Sequence, residues 1–106
     1  MSGYYILRDH EAVPCDIMMW AKWLEDHRTK RRVAQDKIGE VRISTVFLGL
    51  DHSFGNGQPL IFETMVFGGP LDQEEVRYST WEEAERGHAV MVARVRKEAG
   101  EPSDGR

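Results

Sequence analysis

The chain has 106 residues, of which 41% are hydrophobic and 30% charged, and its formal net charge is -4. This length fits one domain with a modest core and excludes a second one. Residues 1–50 hold eight Lys/Arg and seven Asp/Glu, whereas residues 51–106 hold six and eleven, so the acidic second half argues against a general polyanion binder. We predict a single domain over residues 1–100 and a disordered tail over residues 101–106.

Cys15 is the only cysteine, which excludes an intramolecular disulfide and favours a reducing compartment. No basic and then apolar signal opens the chain, and no uncharged stretch is long enough to cross a bilayer. We therefore expect a cytoplasmic protein that does not enter a membrane. The Gly-Asn-Gly turn at residues 55–57 lacks the lysine and the third glycine of nucleotide-binding fingerprints, so no cofactor is predicted.

The first third of the chain predicts one strand, a loop and a helix. Residues 4–7 are rich in strand-forming side chains, and the proline at the end of residues 9–14 indicates a loop. Asp16 is well placed to cap a helix that runs from Ile17 to about His27. The buried stripe of this helix is predicted at Ile17, Trp20, Ala21 and Leu24.

The middle of the chain predicts strands at residues 31–35, 40–50, 60–69 and 75–78. Residues 36–39 form the first turn, where Gly39 is available for a positive φ, and residues 51–59 form the loop of the next hairpin. The two long central strands are apolar on both sides. The second face of their sheet therefore needs either helices on both faces or a partner subunit, and the latter predicts a homodimer.

Two overlapping capping boxes predict the start of the last helix, which runs from Trp81 to about Glu98. The boxes are Ser79 with Glu82 and Thr80 with Glu83. The inward stripe is predicted at Trp81, Ala84, His88, Met91, Val92 and Val95. Gly87 lies beside this stripe and allows close approach to the sheet.

The whole pattern predicts an α+β domain, with an antiparallel sheet of three to five strands and two helices. The predicted order is strand, helix, four strands, helix.

Asp51, His52 and Glu63 form the first candidate site. An imidazole that is oriented by a carboxylate can act as a general base, and a second carboxylate can help it to hold a divalent metal. On the predicted hairpin, however, Glu63 lies three residues along the ladder from the loop, about 10 Å away by strand rise.

The structural alternative for these residues is the interpretation that we favour. Asp51 and Asn56 then make turn hydrogen bonds, while Glu63 pairs with a basic residue such as Arg42 or Arg77. A carboxylate in a central strand needs such a partner, and we predict the ion pair rather than a catalytic acid.

Cys15 is the second candidate, because it stands at the start of the first helix with His10 five residues upstream. A helix N-terminus and a nearby imidazole can activate a thiol. The carboxylate of Asp16 opposes this activation. We therefore predict a structural cysteine.

The third candidate is a basic segment at the exit of the first helix, formed by Arg28, Lys30, Arg31 and Arg32. Such a segment can contact phosphate, and nearby aromatic rings can add stacking. More often such a segment is a solvated helix end, where positive charge suits the dipole. A ligand or partner surface is predicted at these four residues and, on the loop, at His52 and Asn56.

The run "VRISTVFLGLDHSFGNGQPLIFETMVFGG" at residues 41–69, followed by "RYSTWEEAERGHAVMVARV" at residues 77–95, resembles small uncharacterised proteins encoded by bacteriophages and prophages. The resemblance implies a setting, an accessory protein made inside a bacterium that acts on a host or phage component. It carries over no catalytic or binding residue.

Two functional hypotheses follow from the sequence. The leading one is a non-enzymatic binding module that self-associates. The alternative is a small metal-assisted hydrolase or nuclease that uses Asp51, His52 and Glu63. A nucleotide binder with a cleft between two subunits is a third reading, which the basic segment permits.

Overall fold

The computed structural model describes residues 3–53 and 57–100. Its elements are β1 (Tyr4–Arg8), β2 (Glu11–Cys15), α1 (Ile17–Asp26), β3 (Arg32–Ile38), β4 (Val41–Phe47), β5 (Phe62–Phe67), β6 (Glu75–Tyr78) and α2 (Trp81–Glu98). The α+β class and the predicted order of helices among strands are confirmed, with β2 as an additional strand. Within the described ranges, neither helix combines the length and the apolar composition needed to cross a bilayer.

The strands form two antiparallel sheets. β1 pairs with β2, and β3, β4, β5 and β6 form a four-stranded sheet in sequential order. The small sheet is attached to the segment that follows β4, where the N–H of Tyr5 donates to the carbonyl of Gly49 at 2.7 Å. The predicted tail at residues 101–106 and the predicted turn residue Asn56 lie outside the described residues.

The loop predicted over residues 9–14 is wrong, since β2 occupies most of it. Asp9 has a φ of 58° in a two-residue turn, so the chain reverses at once and β2 pairs along the whole of β1. Pro14 stands opposite Tyr5 in this ladder. Each strand of a two-stranded sheet is an edge strand, and an edge tolerates a residue that has no N–H to donate.

The turn between β3 and β4 is shorter than predicted. β3 continues through Ile38, and the reversal uses Gly39, with a φ of 60°, and Glu40. The prediction of a turn at residues 36–38 is therefore wrong. Ile38 is buried in the core, and this burial favours extension of the strand over the local turn preference of Asp36.

The start of α1 is confirmed, but its inward face is not. The carboxylate of Asp16 caps the helix by accepting a hydrogen bond from the N–H of Met19 at 2.8 Å. Ile17, which the predicted stripe places in the core, is 51% exposed, and Ala21 is exposed as well. The predicted stripe is therefore wrong at these two positions.

Two tryptophans turn α1 inward instead. The indole N–H of Trp20 donates to the carbonyl of Leu48 at 3.3 Å, and the ring of Trp23 meets that of Phe47 edge-on with 5.5 Å between centroids. Gly49, with a φ of 72°, leaves room for this contact, because a Cβ there would lie 2.6 Å from the Trp20 Nε1. These partners are distant in sequence, so periodicity within the helix does not reveal them.

α2 follows its prediction closely. Thr80 is the N-cap, and its hydroxyl and the Glu83 side chain form the capping box in both directions. The buried residues of α2 are Trp81, Ala84, His88, Met91 and Val95, and Val92 is partly buried. Gly87 packs directly on Tyr78, which confirms the predicted close approach.

α2 covers one face of the four-stranded sheet and buries two hydrophobic clusters against it. The first cluster contains Leu7, Phe47, Ile61, Phe62, Trp81 and Ala84. The second contains Ile38, Ile43, Val66, Met91 and Val95. A band of buried polar side chains lies between them.

The opposite face of the sheet is partly exposed and mixed in character. Val46, Met65 and Phe67 lie on it, together with the charged side chains of β4, β5 and β6. The guanidinium of Arg42 sits 4.2 Å from the ring centroid of Phe67, where it covers part of the ring. This face therefore offers a partner subunit less apolar surface than the sequence pattern indicates.

Candidate functional site

Asp51 is a structural anchor of the loop after β4. Its Oδ1 accepts hydrogen bonds from the N–H groups of Ser53 at 2.8 Å and Leu60 at 3.0 Å, so that one carboxylate joins the two ends of the loop. The N–H of His52 donates to the carbonyl of Leu60 at 3.0 Å. Asp51 thus makes the turn hydrogen bonds of the structural alternative.

The hydrogen bonds to Asp51 also set its ionisation. Partial desolvation acts to raise the pKa of this carboxyl group, but hydrogen bonds from Ser53 and Leu60 and the charge of His52 outweigh it and hold the pKa below its usual value. An acid with a lowered pKa is a poor proton donor at neutral pH. The carboxylate form is the one that stabilises the loop.

Asp51→Ala is expected to destabilise the protein by about 1–3 kcal/mol at pH 7, because two loop N–H groups lose a charged acceptor. A carboxyl group whose pKa is lowered by folding contributes its full stability above its unfolded pKa of about 4, and the contribution is lost as the pH falls through the lower folded value. The difference between wild type and variant should therefore shrink in acid. Urea denaturation from pH 7 to pH 2 measures this difference.

Asp51→Asn is the control for this prediction. It keeps an acceptor oxygen and should retain part of the stability. A loss of stability in Asp51→Ala that does not depend on pH would contradict the assignment.

Glu63 is engaged in an ion pair on the open face of the sheet. Its carboxylate accepts a hydrogen bond from the Nε of Arg77 at 3.1 Å, and Arg77 also binds Glu75 at 3.1 Å. Glu63 and Arg77 are direct cross-strand neighbours. The predicted pairing with a basic residue is confirmed, and Arg77 is the partner.

The first candidate site is therefore not assembled as a metal centre. Within residues 3–53 and 57–100, no three His, Cys, Asp or Glu side chains are grouped so as to hold a metal ion. Asp51 and His52 lie on the loop, whereas Glu63 stands within β5 opposite Val46. The ladder separates the acid from the histidine, as the sequence argument expects.

Cys15 ends β2 and is partly buried. Desolvation, and after it the negative charge of Asp16, raises the pKa of its thiol above the ordinary value. Both effects favour the protonated thiol, which is a weak nucleophile. The environment of Cys15 thus suits the structural role that the sequence predicts.

The basic segment divides into one structural and three exposed residues. Arg31 is partly buried, its Nε donates to the carbonyl of Phe47 at 3.0 Å, and desolvation lowers its pKa. Arg28, Lys30 and Arg32 are exposed. One member of the predicted ligand or partner surface, Arg31, is thus tied to the end of β4.

A continuous chain of five polar side chains crosses the core between the two hydrophobic clusters. Asp36 Oδ2 lies 2.8 Å from His88 Nε2, and His88 Nδ1 lies 2.7 Å from the hydroxyl of Thr45. The Thr45 hydroxyl is hydrogen-bonded to that of Thr64, which accepts a hydrogen bond from Tyr78 at 3.0 Å. Each strand of the large sheet and α2 supplies one member. We call this set the transverse polar chain.

The protons of the transverse polar chain have one consistent arrangement when His88 is neutral. A carboxylate only accepts, so His88 carries its proton on Nε2 and donates it to Asp36. Nδ1 then accepts from Thr45, Thr45 from Thr64, and Thr64 from Tyr78. In this order, every buried polar side-chain atom of the transverse polar chain has a hydrogen-bond partner.

A carboxylate, an imidazole and a hydroxyl in series also occur in nucleophilic catalysis. Here the hydroxyl of Thr45 is inaccessible, since Thr45 and Thr64 are 0% exposed and His88 is 4% exposed. No substrate reaches Thr45 in this conformation. In this conformation the transverse polar chain therefore satisfies buried polar groups and does not act on a substrate.

The sequence analysis places His88 inward but does not identify the other four members of the transverse polar chain. A signal is nevertheless present, because a threonine interrupts each of two inward-facing apolar triplets. The triplets are Ile43, Thr45, Phe47 and Phe62, Thr64, Val66. Asp36 is missed because it is assigned to a turn.

An apolar patch on α1 is the most exposed hydrophobic feature near the predicted binding surface. Its residues are consecutive in the first turn: Ile17 is 51% exposed, Met18 76% and Met19 50%. A shallow groove of about 710 Å³ borders the patch, with Met18, Met19 and Trp23 in its wall. We call Ile17, Met18 and Met19 the α1 patch.

No known protein family, curated protein or solved structure matches this chain.

Proposed function

We propose that this protein is a non-enzymatic interaction module that self-associates through the α1 patch. The observation that carries the proposal is the exposure of three consecutive large apolar residues at the start of a helix that buries none of its own residues. Exposed apolar clusters favour association, and methionine side chains adapt readily to a partner surface.

The structural contacts of the residues that could have been catalytic support a binding role for the protein. Asp51 holds the loop, Glu63 binds Arg77, and Thr45 is inaccessible. The thiol of Cys15 is kept protonated by its surroundings. Asp51, Glu63 and Thr45 thus already make structural hydrogen bonds in the folded chain.

Charge around the α1 patch favours a second copy of this chain as its partner. The start of α1 carries the carboxylate of Asp16, and the segment after its end carries the exposed side chains of Arg28 and Lys30. An antiparallel pair of α1 helices opposes their dipoles favourably. It also sets Asp16 of one copy near Arg28 and Lys30 of the other, beyond the acidic last turn that Glu25 and Asp26 form. A ten-residue helix provides less than the roughly 800 Å² per partner of a stable interface, so the dimer should be weak.

The setting of the proposal comes from the sequence resemblance. We infer an accessory protein encoded by a phage or prophage and made in the cytoplasm of its bacterial host. Self-association would then present two copies of the exposed basic residues Arg28, Lys30 and Arg32 to a host or phage component.

Sedimentation equilibrium from about 10 μM to 1 mM tests the proposed dimer, which we expect to form with a Kd on the order of 100 μM. Met18→Lys should shift the protein to monomer over this range, because a charge at the centre of the contact is not desolvated readily. Val90→Lys is the matched control, since Val90 is 61% exposed on α2, away from the patch, and should associate like wild type. A wild-type protein that stays monomeric at 1 mM, or a Met18→Lys variant that still dimerises, would overturn the proposal.

A further inference from the structure

The transverse polar chain ends at two surface clefts on opposite edges of the sheet. The Asp36 end opens into a cleft of about 500 Å³, whose other ionisable side chains are Glu85, His88 and Arg96. The Tyr78 end opens into a cleft of about 410 Å³, whose charged side chains are Arg77, Glu83 and Arg86. A single series of hydrogen bonds therefore connects two surface clefts through the buried interior.

We propose that the transverse polar chain is a proton-coupled switch, in which protonation of His88 reverses the direction of its hydrogen bonds and so turns the Tyr78 hydroxyl outward. The proposal is independent of self-association. It rests on the four hydrogen bonds of the chain and on the burial of its three central members.

The reversal follows from the number of protons available. With His88 protonated, both ring nitrogens donate, so Nδ1 gives its hydrogen bond to Thr45. Thr45 must then donate to Thr64, and Thr64 to the oxygen of Tyr78. Tyr78 then accepts a hydrogen bond from Thr64, and the proton that its hydroxyl carries, supplied from the solvent side, points toward the cleft.

The proton balance is simple. Tyr78 takes up one proton from water on the solvent side. Tyr78 passes its own proton to Thr64, Thr64 passes one to Thr45, and Thr45 passes one to His88 Nδ1. Every hydroxyl has one proton before and after. The charge gained by His88 lies beside the carboxylate of Asp36, so the pair as a whole is neutral.

Few other ionisable groups lie around His88. Among the described residues, β3 contributes Asp36 and β6 contributes Tyr78, while β4 and β5 contribute the uncharged hydroxyls of the chain. From α2 itself, Glu85 and Arg96 line the same cleft. By linkage, a group that accepts a hydrogen bond from Tyr78 should promote proton uptake at His88.

Nuclear magnetic resonance of the full chain tests the switch. In the neutral form of the ring, the ¹⁵N shifts of His88 should show a protonated Nε2 and an unprotonated Nδ1. On acidification, the ¹³Cζ shift of Tyr78 should follow the same titration curve as the ring of His88. A Tyr78 signal that stays flat through the His88 transition, or a neutral ring protonated on Nδ1, would overturn the proposal.

Variants of Thr64 separate coupling from mere proximity. Thr64→Val removes the central hydroxyl with little change in shape, and the Tyr78 response to the His88 titration should be lost. Thr64→Ser keeps a hydroxyl and should restore the response. If the valine variant does not fold, the comparison of the His88 and Tyr78 titrations in the wild-type protein still tests the proposal. Thr29→Val, at an exposed position after α1, should behave as wild type. A folded Thr64→Val protein in which the Tyr78 signal still follows the His88 titration would disprove transmission through the transverse polar chain.

Discussion

Phe47→Ala is expected to destabilise the protein by about 3–5 kcal/mol, the largest loss we expect from a single side-chain truncation here. Phe47 is fully buried and lies at the junction of the fold: its ring is 5.5 Å from that of Trp23 on α1 and 5.2 Å from that of Phe62 on β5. Guanidinium denaturation followed by circular dichroism measures the change. Because whole domains of this size have about 5–15 kcal/mol of stability, Phe47→Leu, with an expected loss of about 1 kcal/mol, is the fallback if the alanine variant does not fold.

Phe67→Ala is the matched control for this prediction. Phe67 is the same residue type on the neighbouring strand, but it is only partly buried, on the open face, beneath Arg42. Its truncation should cost about 1–2 kcal/mol, since less area returns to water. Equal losses for both variants would contradict a one-sided core and would mean that the second face of the sheet is covered in solution.

Gly87→Ala should destabilise the protein by about 2 kcal/mol, although alanine is the better helix former by about 1 kcal/mol. A Cβ at this position would lie 2.2 Å from both Cε1 and the hydroxyl oxygen of Tyr78. The ring must therefore move, and its hydrogen bond to Thr64 is broken. Thermal and urea denaturation of the single variant measure the net effect.

A double-mutant cycle isolates the cause of that loss. In a Tyr78→Ala background the obstacle is absent, so Gly87→Ala should become neutral or stabilising by up to about 1 kcal/mol. A Gly87→Ala substitution that stabilises the wild-type protein would contradict the packing of Tyr78 on α2.

The sequence predicts well where local signals and long-range packing agree. The capping box of Thr80 and the inward stripe from Trp81 to Val95 both describe α2, and the structure has the helix at the predicted bounds. The hairpin of β4 and β5 also has turn residues between two apolar runs. In these elements the chain fragment alone contains the information that fixes its conformation.

The misses at α1 and at the turn after β3 have one physical origin, which is that distant partners decide them. Ile17 fits a helical stripe, but the contacts of Trp20 and Trp23 rotate α1 so that Ile17 faces solvent. Asp36 has the local preference of a turn residue, yet burial of its neighbour Ile38 extends the strand. Periodicity shows that an element has two faces, but it does not show which one meets the rest of the protein.

The same limit applies to the candidate sites. The ladder argument correctly separates Glu63 from His52, because strand rise is a local quantity. The transverse polar chain depends on five residues from five elements, and its members become neighbours only once the order and alignment of the strands are known. Thr45 and Thr64 are visible as polar interruptions, but their link to Asp36 through His88 is not.

The polar band between the two hydrophobic clusters also determines the register in which β4 pairs with β5. Sliding β4 past β5 by one residue turns the apolar side chains to the wrong face, but a slide by two keeps every side chain on its own face, so hydrophobicity alone penalises it weakly. Thr45 and Thr64 are direct neighbours in the native alignment. After a two-residue slide each would face a bulky apolar side chain, and each buried hydroxyl left without a partner would cost about 1–3 kcal/mol. The buried polar residues thus select one pairing among those that the apolar pattern would accept.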